Sequence, residues 1–207
     1  LKLLAAAAEG QRYGKADLIV PRSPEEDSIF VVARGGVRVY LIAPRGSREI
    51  ELFRRRSGDI FELGIIDPAL SDETVAETVV EDTVVYVIPW LRFLTVVSGR
   101  PEAASSFAEF LLRRRAEERA VVRELAFYNM RTRLARKLVE LARDNSDHIV
   151  TETHEALAAM IGTRQEEVTK TLHQFLKEGL VSFRSRGRRH ILVLDLDRLA
   201  SYGETSA

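Results

Sequence analysis

Gln165, Glu166, Thr169, Lys170 and His173 recur at i, i+1, i+4, i+5 and i+8, so on a helix they share one face. They bring together an amide, a carboxylate, a hydroxyl, an ammonium and an imidazole. Such a set can reach base edges in a DNA major groove, where a glutamate accepts from cytosine N4 and a lysine donates to guanine O6 and N7. A second set follows at once. Arg184, Arg186, Arg188 and Arg189 fall within six residues, with no acid among them. They suit phosphates or a minor groove, contacts that position a protein without reading sequence. Thr153, His154, Thr163 and Arg164 flank the first set and are assigned to the same surface. His154 is read as phosphate-facing or as plain exposed polar surface.

The elements that must hold these side chains are legible around them. Residues 153–181 predict two short helices broken at Gly162, which permits the left-handed backbone that ends a helix. Leu157, Ala158 and Ile161 form the apolar stripe of the first helix. In the second, Val168, Leu172, Phe175 and Leu176 share the core face. Thr163 is expected as its N-cap, with Glu166 three residues on at capping-box spacing. Residues 181–194 read as a strand, a turn at Ser185–Gly187 and a second strand. The sum is a winged helix-turn-helix that reads DNA. A solvated helical hairpin is the plain alternative, but its surface would more often mix charge signs.

Upstream, residues 17–97 read as strand-like throughout, with short runs parted by glycine turns at Arg34-Gly35-Gly36, Pro44–Ser47 and Ser57-Gly58-Asp59. This predicts a small antiparallel barrel or roll. Pro101 opens a long helix to about residue 127. Along it Phe107, Leu111, Arg114, Glu118, Val121, Leu125 and Tyr128 alternate spacings of four and three, the seam of a two-stranded coiled coil. Arg114 and Glu118 on that seam are expected to pair across a dimer and fix its register. Phe127–Met130 is read as a hinge, Arg133–Arg143 as an amphipathic helix and Asp144–Asp147 as a loop. The expected class is α+β in three parts: a roll over 1–98, a dimerisation helix and hinge over 99–129, and the DNA-binding domain over 130–207.

Composition narrows the function. The 207 residues are 45% hydrophobic and 30% charged with a net charge of zero, so affinity for nucleic acid must come from a local patch. The absence of cysteine excludes disulfides, thiolate nucleophiles and Cys-ligated metal centres. His154-Glu155-Ala156-Leu157-Ala158 begins like the zinc-protease His-Glu-x-x-His but lacks the second histidine. There is no Gly-x-Ser-x-Gly elbow, P-loop or Gly-x-Gly-x-x-Gly, so no catalytic residue, metal site or cofactor is expected. Leu1–Ala8 is expected as a short helix rather than a signal peptide, and a few residues are expected to be missing before Leu1. With no apolar run of membrane-spanning length, a cytoplasmic location is expected.

A roll, a long dimer helix and a winged helix-turn-helix, in that order, resemble the CRP/FNR family (cyclic-AMP receptor protein and fumarate–nitrate regulator) of bacterial transcription factors. The motifs are Leu157-Ala158, Ile161-Gly162-Thr163, Glu166, Val168, Lys170 and Leu172, then Glu178-Gly179-Leu180-Val181, with Phe30-Val31-Val32, Gly35 and Gly58-Asp59-x-Phe61 in the roll. The resemblance covers nearly the whole chain. It implies a homodimer on double-stranded DNA, RNA polymerase as a partner, and a palindromic site whose TGA part is read by Glu166 and Lys170. Thr169 looks like the serine of the fumarate–nitrate branch, while Gln165 replaces an arginine many cyclic-AMP-type members carry. Whether such a regulator raises or lowers transcription often depends on where its site lies relative to the promoter.

The roll departs from the family pattern. Cyclic-nucleotide binders show Gly-Glu-Leu followed by Arg-Ser/Thr-Ala, the arginine pairing with the cyclic phosphate. Here Phe61 precedes Glu62-Leu63, and the later stretch is Ser71-Asp72-Glu73-Thr74-Val75-Ala76. With Asp67, Asp72 and Glu73 nearby, that loop would repel a phosphate. The roll also looks like that of haem-based carbon monoxide sensors, but Glu62 and Gly64 stand where those place cysteine and histidine. All four histidines lie in the C-terminal part, at 148, 154, 173 and 190. Neither cyclic nucleotide nor haem is therefore expected, and the effector is left unnamed. The alternative is an effector-binding roll whose winged helix docks a protein instead of DNA.

Overall fold

Alternation of apolar and polar residues sets the strands of the N-terminal part. In Ser28–Arg34 (β3) and Gly36–Ile42 (β4), Phe30, Val32, Val37 and Val39 are fully buried. Gly35 between them has φ +93°, and a Cβ there would lie 2.9 Å from the Thr83 Cβ, so only glycine fits the turn that passes from one strand to the next. The structure, a computed structural model, describes residues 9–20, 27–43, 48–63, 74–186 and 188–202; at residues 9, 185, 186, 188 and 189 it describes the backbone alone. The helix expected at Leu1–Ala8, the turn at Pro44–Ser47, the acidic positions Asp67, Asp72 and Glu73, and Gly187 lie outside the described residues.

The remaining roll strands are Glu9–Tyr13 (β1), Leu18–Ile19 (β2), Glu49–Arg56 (β5), Ile60–Glu62 (β6), Thr74–Thr78 (β7) and Thr83–Pro89 (β8). They form two four-stranded sheets, ordered β1-β8-β3-β6 and β2-β7-β4-β5. Phe30 pairs with Phe61 and Val87, and Val39 with Ala76. One core joins the sheets: Ile19, Phe30, Val32, Val37, Val39, Phe53, Phe61, Ala76, Val85 and Val87. Inside it the Phe30 and Phe61 rings stack 4.9 Å apart.

The reading of 17–97 as strand throughout is corrected at its end. Trp90–Ser98 is a helix (α1), with Phe93 and Val97 buried one turn apart. Its Thr95-Val96-Val97 run is β-branched, which mimics a strand, but here the four-residue period prevails over propensity. Pro101–Phe127 (α2) is the long helix expected, and it has no fully buried side chain. The next helix, Met130–Arg143 (α3), starts three residues earlier than expected because Asn129 caps it, Oδ1 accepting from the Thr132 amide at 3.0 Å. The hinge is correspondingly shorter.

Ile149–Val150 (β9), His154–Ile161 (α4), Gln165–Lys177 (α5), Val181–Arg186 (β10), Arg188–Val193 (β11) and Leu196–Ala200 (α6) complete the chain. The last sheet runs β10-β11-β9. Leu134, Leu138, Leu157, Ile161, Val168, Leu172, Phe175, Leu180, Val181 and Ile191 lie in one core shared by α3, α4, α5 and this sheet. By spatial contact the chain divides into two units, residues 1–47 with 51–120 and residues 48–50 with 121–207. α2 contributes to both.

Candidate nucleic-acid interface

The helix-turn-helix forms where its residue types place it. Gly162 adopts φ +64° and ψ +51°, and the Thr163 amide donates back to the Ala158 carbonyl at 2.9 Å, a Schellman-type closure of α4. This corrects the cap expected at the next helix. Thr163 serves the end of α4, so α5 starts one residue later, with Arg164 as N-cap and no side-chain cap hydrogen bond. The capping-box pairing of Thr163 with Glu166 is thereby excluded. The side chain that does cap is Thr153, whose Oγ1 accepts from the Ala156 amide at 3.1 Å at the start of α4.

α5 divides into two faces. Val168, Thr171, Leu172 and Phe175 are buried, while Arg164, Gln165, Glu166, Lys170 and His173 are exposed and Thr169 is half-buried. Leu176, expected in the core, is instead 39% exposed, because the buried face turns past it toward Phe175 and Leu180. Lys170 Nζ donates to Glu167 at 2.8 Å, and that bond raises the lysine pKa above its ordinary value. Glu167 was not among the expected site residues. An acid three residues before a lysine was its sequence signal.

His154 is not plainly exposed. It is half-buried, with Nδ1 2.9 Å from Thr169 Oγ1 and its ring 6.4 Å from that of Phe183. His173 directs Nδ1 to the Thr169 carbonyl at 2.8 Å and also lies against Phe183.

The wing is a β10–β11 hairpin. Arg184 stands opposite His190, Ser185 opposite Arg189 and Arg186 opposite Arg188. Arg184 is exposed; the side chains of Arg186, Arg188 and Arg189 lie outside the described residues.

On α2 the seam residues have partners within their own chain. Arg114 bridges Glu62 of β6 and, at 2.9 Å, Glu118 one turn on in the same helix. Phe107 packs edge-on against Phe93 at 4.9 Å. Leu111, Leu112, Val122, Leu125 and Phe127 remain exposed on α2. Among the described residues no cluster of His, Asp and Glu could hold a metal, and no helix is long and apolar enough to cross a membrane.

Comparison with known proteins agrees with this geometry. Residues 132–202 match the Crp-like helix-turn-helix domain. The chain is similar to the cyclic AMP receptor protein of Thermus thermophilus, at 29% identity over 155 residues, 74% of this chain and 70% of that protein. It is 29% identical over 195 residues to the transcriptional regulator LdrP of Thermus thermophilus, covering 91% of this chain and 94% of the relative. A crystal structure of a crp/fnr-family transcriptional regulator from Eubacterium rectale superposes with a TM-score of 0.76 at 25% identity, over 97% of this chain and 91% of that one.

Proposed function

The chain belongs to the CRP/FNR family of transcriptional regulators, and from that premise we propose that it binds a palindromic TGA-type site as a homodimer, without control by cyclic nucleotide or haem. In this reading α5 enters the major groove. Glu166 and Lys170 read bases, Gln165, Thr169 and His173 contribute to the same face, and Arg164 with the wing arginines holds the backbone. One observation carries it: a helix buried through Val168, Thr171, Leu172 and Phe175 presents the polar set outward, with the arginine-rich β10–β11 hairpin directly after it.

Effector independence is supported by where the roll's charges go. Glu62 stands where nucleotide binders of this family show the glutamate of Gly-Glu-Leu. Here its carboxylate is bound by Arg114 from α2, and both side chains are largely buried. Arg55, itself buried, likewise binds Glu117 of α2. The Thermus relative is named for cyclic AMP; this chain meets that position with an internal ion pair.

RNA polymerase is the natural second partner of a regulator of this kind, and the cytoplasm its place of work. The dimer would form along α2, through Leu111, Val121 and Leu125, with Phe107, Arg114 and Glu118 held in-chain beside them. A mobility shift with random-sequence DNA at low salt tests the DNA role. A shifted complex that weakens as salt rises is expected. No shift at any concentration would assign the winged helix to a protein partner.

A further inference from the structure

His154 and Thr169 belong to different helices, yet Nδ1 of one lies 2.9 Å from Oγ1 of the other. The same hydroxyl lies 3.0 Å from the Gln165 carbonyl oxygen. A hydroxyl has one proton to donate, and a carbonyl oxygen can only accept. The Thr169 proton therefore goes to Gln165, a back-bond common for threonine within helices. It follows that His154 Nδ1 carries the hydrogen between it and Oγ1, a tautomer assigned by this network. His173 Nδ1 is fixed as a donor by the same logic, since its partner is the Thr169 carbonyl at 2.8 Å. Two imidazoles thus bracket one residue of the reading face, and the Phe183 ring lies against both, at 6.4 and 5.9 Å.

We infer that His154 is a positioning residue for base specificity: Gln165 holds the Thr169 proton, and the His154 Nδ1–H takes one of the two lone pairs and so aims the other at DNA, so that Thr169 selects a base presenting an amino group, cytosine N4 or adenine N6. The inference rests on the DNA-reading role of α5 proposed above. With its proton on Gln165 and one lone pair on His154, the hydroxyl has one lone pair left to offer. To donate to guanine O6 or thymine O4 it would have to break the bond to Gln165. His154 then touches no base and no phosphate, and acts through Thr169.

Selection from random-sequence DNA with the wild type, followed by binding to operators varied at each selected position, tests this in His154→Phe, His154→Asn and Thr169→Val. His154→Phe keeps a ring against Phe183 and deletes the Nδ1 donor; His154→Asn returns an amide donor at similar reach. Thr169→Val and His154→Phe are expected to lose preference at the same base pair, by roughly 2- to 13-fold, the range of one net hydrogen bond. The double variant should lose no more than Thr169→Val alone, and His154→Asn should restore the preference. A loss on His154→Phe that is equal for all sequences, or no loss at all, overturns the inference. Should His154→Phe not fold, His154→Leu decides the same point, because it too deletes the Nδ1 donor that aims the hydroxyl. The preference at the Thr169 base pair must then fall, and its staying put overturns the inference. Failure of the wild type to enrich any sequence overturns the DNA-reading role itself, whereas an enriched motif indifferent to His154 overturns only this assignment.

Discussion

Arg55 and Glu117 meet through two hydrogen bonds, Nη1 to Oε1 at 3.2 Å and Nη2 to Oε2 at 2.6 Å, joining β5 to α2. Beside them Arg114 joins Glu62, and its guanidinium lies 5.5 Å from the centre of the Phe53 ring. α2 buries no side chain fully, and these charge pairs, with Phe107 packed on Phe93 and Trp90, help hold its first half to the roll. The pairs differ in what each leaves behind: Arg55, 8% exposed, is paired with Glu117, whereas Arg114, 18% exposed, binds Glu118 as well as Glu62. Removing one partner of a buried pair strands the other charge. Glu117→Gln, which strands the buried Arg55, is expected to cost about 3 kcal/mol in urea unfolding, while Glu62→Gln, which leaves Arg114 paired with Glu118, costs about 1 kcal/mol. Equal effects of the two would remove the distinction.

Charged residues in place of Leu111 and Val121 should give monomers in sedimentation, since the exposed apolar side chains of α2 gain a partner surface only in a second copy. The same variant should weaken operator binding more than non-specific binding, because a dimer spans two half-sites about 34 Å apart. A variant that stayed dimeric would place the interface elsewhere.

Glu166→Ala should relax preference at one base pair by about 1–3 kcal/mol and leave the melting temperature unchanged. The structure sharpens this expectation, since α5 begins without a side-chain cap and Glu166 has no capping role to lose. A fall in melting temperature with intact base preference would contradict it.

How much of this was legible depends on how local each signal is. The helix-turn-helix shows in the sequence because Gly162 and the spacing of Leu157, Ile161, Val168 and Leu172 are short-range. α1 was hidden by the β-branched run Thr95-Val96-Val97, whose helical state is decided by Phe93 and Val97 packing near Ile29 and Ile88. The cap at Thr163 was one residue out because the closure of α4 had a prior use for it. The contacts of Arg114 and His154 within the chain were not legible for one reason: their partners, Glu62 and Thr169, are brought near only by the fold.

Removing Arg186 or Arg188 should weaken binding to all sequences alike and flatten the salt dependence by about one unit of slope for each phosphate no longer neutralised. Glu167→Gln should act oppositely, releasing Lys170 from the bond at 2.8 Å and strengthening binding at low salt. Sequence-selective loss on removing a wing arginine, at unchanged salt slope, would overturn this division of labour.

The central claim is that the ion pair of Arg114 with Glu62 stands where an effector would otherwise be needed. Fluorescence anisotropy of ligand-free protein on its selected operator, titrated with and without cyclic AMP and cyclic GMP, tests it most directly. The account predicts salt-dependent, saturable binding with the same Kd in all three titrations. Binding that appears only once a cyclic nucleotide is added would contradict it.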